Sequence, residues 1–233
     1  MSGPAREAVF KSIRASLGRD RLDERGRRAI DERLASPKAN VIPARGQLEG
    51  EALIALFISE AERVNVTIAR VDGFPAVPAT VAGFLRDSNL PARLKLAPNS
   101  LIADIPWGSE PLLSCATGAG AADDMATVSA AFAGIAETGT LMLISGPDNP
   151  TSLNFLPEAH IVVLPTAWIV GSYEEAFACF RAATKPSEMP RTINWITGPS
   201  RTADIEQTLL LGAHGPKQLL AILVDGEPRS THA

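Results

Sequence analysis

Three short stretches of the 233-residue chain gather side chains that can do chemistry. The first is Ala136-Glu137-Thr138-Gly139-Thr140, directly before the apolar run Leu141 to Ile144. A carboxylate at such a loop can act as base or nucleophile. Gly139 lets the backbone come close to a ligand, and Thr138, Thr140 and the neighbouring amides can bind an anion. The same residues can equally form a plain tight turn. The second stretch is Gly198-Pro199-Ser200-Arg201-Thr202-Ala203-Asp204-Ile205-Glu206. Here Ser200, Arg201 and Thr202 suit an anionic group, because a guanidinium can hold a carboxylate or phosphate in a bidentate fork. Asp204 and Glu206 would repel that anion unless they orient Arg201. A capped helix start at Ser200 or Thr202 is the purely structural alternative, and a helix N-terminus is itself an anion site. The third stretch is Gly212-Ala213-His214-Gly215-Pro216. His214 lies between small, turn-forming residues and can act as general acid or base, or as a donor to a carboxylate; bonding to local backbone is its structural alternative.

The other two histidines offer less. His160 begins an apolar strand, where a satisfied structural histidine is the expectation, and His232 stands next to the last residue. No HxH, HExxH or paired CxxC spacing suggests a metal site. There is no P-loop, no GxSxG elbow and no complete GxGxxG fingerprint.

Elements must position these loops. Strands are expected at Asn65 to Val71, Arg93 to Ala97, Thr140 to Ile144, His160 to Leu164, Thr192 to Thr197 and Leu219 to Val224. Helices are expected at Glu51 to Val64, Ala79 to Ser88 and Tyr173 to Ala183. Thr140 to Ile144 and His160 to Leu164 are apolar on both faces, as strands of a sheet covered on both sides are. Strands alternating with helices imply an α/β sheet with helices on each face. In an open sheet of that kind, loops after the carboxyl ends of strands carry ligands.

The beginning of the chain differs from the rest. Residues 1–38 hold ten basic and six acidic side chains, a net of +4, and the remainder has a net of −8. Val9, Phe10, Ile13 and Leu17 mark one face of a first helix ended by Gly18, and a polar second helix spans about Leu22 to Leu34. The division expected is therefore a helical arm over 1–38 and an α/β domain over 39–233. With its interleaved acids the arm reads first as a solvated helical hairpin rather than a nucleic-acid-binding arm; its narrow apolar stripe can also dock on a partner subunit, and its charge contrast with the body permits self-association.

Composition excludes several classes. Apolar residues make up 45 % and charged residues 21 %, as in ordinary globular proteins. The net charge of −4 gives no global basic field for nucleic acid. No run approaches the ~18 apolar residues of a membrane span, and Met1 to Asp20 lacks the apolar core of a signal peptide. A cytoplasmic location is the expectation. Cys115 and Cys179 are the two cysteines, expected as buried structural thiols. Two are too few for an iron–sulfur cluster, which takes about four ligands.

Ala136-Glu137-Thr138-Gly139-Thr140-Leu141, Pro150-Thr151-Ser152-Leu153-Asn154-Phe155-Leu156-Pro157-Glu158-Ala159-His160-Ile161, Gly198 to Glu206 and His214-Gly215-Pro216 resemble, in order and spacing, the LUD family, named for lactate utilisation. Ile13 to Arg19 also looks like that family's opening helix. The resemblance implies a three-layer fold with a mostly parallel central sheet, similar to the CoA-transferase and ribose-phosphate isomerase group. It also implies a place in a three-subunit system that oxidises L-lactate to pyruvate. Iron–sulfur clusters would then sit on partner subunits, with no intrinsic cofactor here. On that view Glu137 or His214 handles a proton, and Arg201 with Ser200, Thr202 and the amides around Gly139 binds a small anion. A stand-alone CoA-transferase or sugar-phosphate-isomerase type of enzyme, and a non-catalytic sensor or scaffold, are the other two readings the residues carry.

Overall fold

The computed structural model describes residues 3–18, 23–185, 189–202, 210–211 and 214–226. The chain falls into two compact units, Met1–Val41 and Ile42–Ala233. The first holds α1 (Gly3–Ser16) and α2 (Glu24–Ala35). Gly18, with φ of 60°, follows the end of α1 in the left-handed conformation expected of it. Asp23 caps α2 by accepting from the Gly26 amide at 2.7 Å.

The second unit runs α3 (Gly50–Arg63), β1 (Thr67–Val71), α4 (Val77–Asp87), β2 (Arg93–Leu96), α5 (Ser100–Ala103), β3 (Ser114–Thr117) and β4 (Ala126–Ala130). Then come β5 (Ala133–Ile135), β6 (Thr140–Ile144), α6 (Ser152–Phe155), β7 (Ala159–Pro165), β8 (Ile169–Val170) and α7 (Tyr173–Ala183). β9 (Ile193–Ile196), β10 (Arg201–Thr202), β11 (Leu210–Leu211) and β12 (Gln218–Val224) complete it. Six strands in the order β1-β12-β7-β4-β2-β3 form a sheet in which every pairing is parallel. This is the α/β architecture expected from buried strands alternating with helices.

Strand alternation divides the sheet's two faces. Val128, Ile161 and Ile222 point to one side, where Val81 and Leu85 of α4 and Ile102 of α5 cover them. Val162, Leu164, Ala221 and Leu223 point to the other, against Phe57 and Ala61 of α3 and Leu141 and Leu143 of β6. At roughly 1.5–3 kcal/mol per fully buried large apolar side chain, these two faces supply the main driving force for folding.

A single sheet accommodating all the predicted strands is not what forms. β6 and β9 pair antiparallel with each other and join β5 and β8 in a second, four-stranded sheet of order β8-β5-β6-β9. Its inner face, with Leu141 and Leu143, meets the main sheet, while Met142 on the outer face packs on Ala176 and Phe180 of α7. Sandwiched between a sheet and a helix, β6 is apolar on both faces for the same reason a central parallel strand is, so that pattern does not separate the two.

The cysteine expectation is corrected. Both thiols are free and exposed. Cys115 lies on β3, an edge strand whose residues are all exposed, and α7 buries Ala176 and Phe180 but not Cys179.

Candidate functional site

Three segments of the second unit meet around a cavity of about 270 Å³: the stretch from α6 into β7, the loop after β9, and the loop before β12. Local bonds fix each one. The Thr127 hydroxyl on β4 donates to the Leu153 carbonyl at 2.6 Å and holds α6 down on the sheet. Gly120 passes so close to α6 that a Cβ there would lie 2.9 Å from the Ser152 carbonyl oxygen. The Ser200 amide donates to the Pro216 carbonyl at 2.9 Å, joining the second and third loops. The Lys217 amide donates to the Glu158 carbonyl at 2.8 Å, joining the third loop to the α6–β7 turn.

The cavity lies at the amino ends of β7 and β12, since His160 and Leu219, the second residue of each, line it. The loop after β9 reaches it because β9 belongs to the other sheet. The cavity therefore lies beyond the carboxyl end of β9 but at the amino ends of β7 and β12 in the main sheet.

Asn154 and His160 make the buried side of the cavity, being 1 % and 0 % exposed. His160 Nε2 is 2.6 Å from the Ser129 hydroxyl on β4, and Nδ1 has no protein partner. Burial pushes the His160 pKa down to about 3, so the ring is neutral across the ordinary pH range. Neither the amide nitrogen nor the oxygen of Asn154 has a protein partner. A buried polar group left unpaired costs roughly 1–3 kcal/mol, so this pair is a standing cost of the fold.

The outer side is polar and cationic. Ser200 is half-buried, and Arg201 and His214 are exposed. One Nη of Arg201 donates to the Val64 carbonyl at the end of α3 at 2.8 Å, and Gly198 sits against that same carbonyl. Its remaining N–H groups can still fork onto an anion.

The first loop stands apart from the cavity lining. Glu137 is 7 % exposed, and its carboxylate accepts from the Tyr173 amide at 3.1 Å at the start of α7. Ser172 caps the same helix by accepting from the Glu175 amide, while the Glu175 carboxylate accepts from the Gly171 amide at 2.7 Å. Gly139, with φ of 64°, approaches the backbone of α3: a Cβ there would be 2.2 Å from the Ala61 nitrogen. Thr140 bonds Thr138, the Tyr173 hydroxyl and, at 2.7 Å, Thr197. Thr197 lines the cavity, so this hydroxyl cluster forms its link to the first loop.

Of the residues expected to do chemistry, Ser200, Arg201 and His214 come together; Glu137, Thr138, Gly139 and Thr140 lie behind them, on the α3 and α7 side. Thr202 pairs with Leu210 in a two-stranded ribbon, so strand replaces the capped-helix alternative at Ser200, while the residues that a cap at Thr202 would serve lie outside the described residues. Asp204 and Glu206 lie outside the described residues. His160 moves from structural expectation to cavity wall. Asn154 was missed, although an asparagine between Leu153 and Phe155 is a polar residue set into an apolar turn. Among the described residues no group of three His, Cys, Asp or Glu side chains could hold a metal, and no helix is long and apolar enough to cross a membrane.

Every residue lining the cavity falls within 121–224, the stretch matched by the family model described as LUD domain. Residues 121–224 resemble a LUD domain. A protein of Neisseria meningitidis serogroup B described as uncharacterized is 42 % identical over 99 residues, which is 42 % of each chain. Lactate utilization protein C of Shouchella clausii is 37 % identical over 91 residues, 39 % of this chain and 40 % of that one. The protein of the same name from Geobacillus kaustophilus is 38 % identical over 106 residues, 44 % of each. The chain thus spans about two fifths of the length of the curated relatives it matches. A crystal structure of a DUF162 family protein from Deinococcus radiodurans aligns with a TM-score of 0.57 at 21 % identity, covering 77 % of this chain and 99 % of that one. The chain shares that fold over the stretch covered.

Proposed function

We propose that the chain is a subunit or accessory protein of a multi-component system that oxidises L-lactate to pyruvate, and that its cavity binds a small anion. The observation that carries this reading is the meeting of Ser200, Arg201 and His214 at one cavity within the LUD-like stretch. Relatives named lactate utilization protein C, similar over 91 and 106 residues, support the pathway. In this reading Arg201 and Ser200 hold the anion and His214 handles a proton. Lactate gives up two electrons and two protons on becoming pyruvate, and iron–sulfur clusters on partner subunits take the electrons. A main sheet of six parallel strands, covered on both faces, supports the accompanying proposal of a CoA-transferase-like fold.

The test is purification from native cells with identification of what travels with the chain, together with calorimetric titration of the isolated protein with lactate, pyruvate and inorganic phosphate. Co-purifying iron–sulfur proteins and millimolar or tighter binding of one of these anions are the expected results. Turnover of a CoA ester or sugar phosphate by the isolated chain would replace this reading with a stand-alone enzyme. Pathway activity that survives substitution of Arg201 and His214 but not removal of residues 1–38 would replace it with a scaffold.

A further inference from the structure

We propose that Asn154 and His160 form a hydroxyl-recognising end of the cavity, so that its occupant is a small anion carrying a hydroxyl group: a hydroxycarboxylate or a sugar phosphate. This rests on the reading of the cavity as an anion site and adds the other end of the ligand.

The argument starts from what the buried side offers. The Asn154 side chain presents an NH2 group that donates and a carbonyl oxygen that accepts, both atoms without protein partners, and His160 adds a third unpaired atom at Nδ1. Whichever way the proton lies between Ser129 and His160 Nε2, Nδ1 is left as a single donor or a single acceptor. Donor and acceptor side by side are met by a group that is both, and a hydroxyl is the smallest such group. A carbonyl oxygen only accepts, and would leave the Asn154 oxygen still unpaired. A methyl group would leave all of it unpaired. Sites built to hydrogen-bond a hydroxyl discriminate strongly against ligands that lack one, because their own buried groups stay unsatisfied.

Charge orients the ligand. Neither Asn154 nor the neutral His160 ring can neutralise an anion, and both are fully enclosed. A carboxylate or phosphate placed there would lose its hydration without a counter-charge. The opposite side carries Arg201 and His214, both exposed to solvent. The anionic end therefore lies toward Arg201 and Ser200, and the neutral hydroxyl end toward Asn154. Thr127 and Gly120 hold α6, and with it Asn154, in place on the sheet. Asn154 and His160 are specificity-determining residues in this assignment.

The test titrates the full chain with two matched series and follows affinity by calorimetry. In the carboxylate series lactate is compared with pyruvate and propionate; in the phosphate series glycerol 3-phosphate is compared with propyl phosphate. The expected result is a preference of about tenfold or more for the hydroxylated member of one series, and which series shows it identifies the source of the anion. Asn154→Leu, of similar volume, is expected to reduce that preference to about twofold while the protein stays at least as stable. Asn154→Ala serves the same purpose should the leucine variant not fold. Binding of anions with no hydroxyl preference, or a preference unchanged in the Asn154 variants, overturns the assignment. Failure of every anion to bind overturns instead the anion-site reading beneath it.

Discussion

The Glu137 carboxylate accepts a hydrogen bond from the Tyr173 amide at 3.1 Å, and Tyr173 is the first residue of α7. A helix leaves its first amides unpaired and carries partial positive charge at that end, so a carboxylate there is favourable on both counts. Glu137→Ala is expected to destabilise the protein by about 1 kcal/mol, within the range of lost helix caps. Glu137→Gln keeps an acceptor oxygen and is expected to lose roughly half as much. Anion affinity should be unchanged in both, since Glu137 does not line the cavity. Denaturant titration beside calorimetry checks this; loss of affinity with intact stability would return Glu137 to the site.

Gly139 gives a sharper structural prediction. Its φ of 64° and the 2.2 Å separation from the Ala61 nitrogen leave no room for a Cβ, and the obstacle is backbone. Gly139→Ala is expected to cost roughly 4 kcal/mol or more, the range of severe lesions. Gly108→Ala, with nothing within 4 Å of the added carbon, is the control and should stay within about 0.5 kcal/mol. Soluble yield and thermal midpoint report the result. A folded Gly139→Ala protein with an unchanged midpoint would refute the close approach to α3.

The strands that were legible are those with long apolar runs. Thr140–Ile144 begins and ends where its pattern places it, β7 and β12 extend only slightly beyond theirs, and the helix Tyr173–Ala183 likewise has its expected bounds. β4 was not legible as a strand, because Ala126-Thr127-Val128-Ser129-Ala130 is built from small and hydroxyl-bearing residues. Their partners in β2 and β7 make it a central strand, and its hydroxyls are what hold α6 and His160. The split into two sheets was hidden for a related reason: pairing between β6 and β9 joins residues more than 45 positions apart, and local pattern carries no record of it. At the site, Arg201 and His214 were legible from residue type and loop composition. Asn154 was not, because its significance lies in having no partner, a property of packing rather than of sequence.

Arg201 carries the next prediction. Removal of a charged hydrogen-bond donor from an anion site costs roughly 1.5–3 kcal/mol, or about 10- to 100-fold in affinity. Arg201→Ala is expected to weaken binding of whichever anion the wild-type chain takes by that factor. Arg201→Lys should recover only part of it, because an ammonium cannot bond the Val64 carbonyl and fork onto the anion in the same geometry. The thermal midpoint should hardly move, since Arg201 is exposed. Unchanged calorimetric affinity in Arg201→Ala would remove it from the site.

Stability should depend on pH through His160. Its folded pKa, about 3, lies below the ordinary histidine value because the ring is buried. As pH falls below about 6.5 the unfolded chain takes up a proton that the folded chain refuses, so folding loses stability. The stability is fully present above that pH and is lost progressively toward pH 3, at about 1.4 kcal/mol per unit. Between about pH 7.5 and 5.0 the expected loss is roughly 2 kcal/mol from this residue. His160→Gln retains an amide able to face Ser129 and has no proton to bind, so its stability should be flatter over the same interval. Parallel urea titrations of the two proteins at both ends of the interval give the answer: equal slopes would mean that His160 is reached by protons, and that the buried side of the cavity is open.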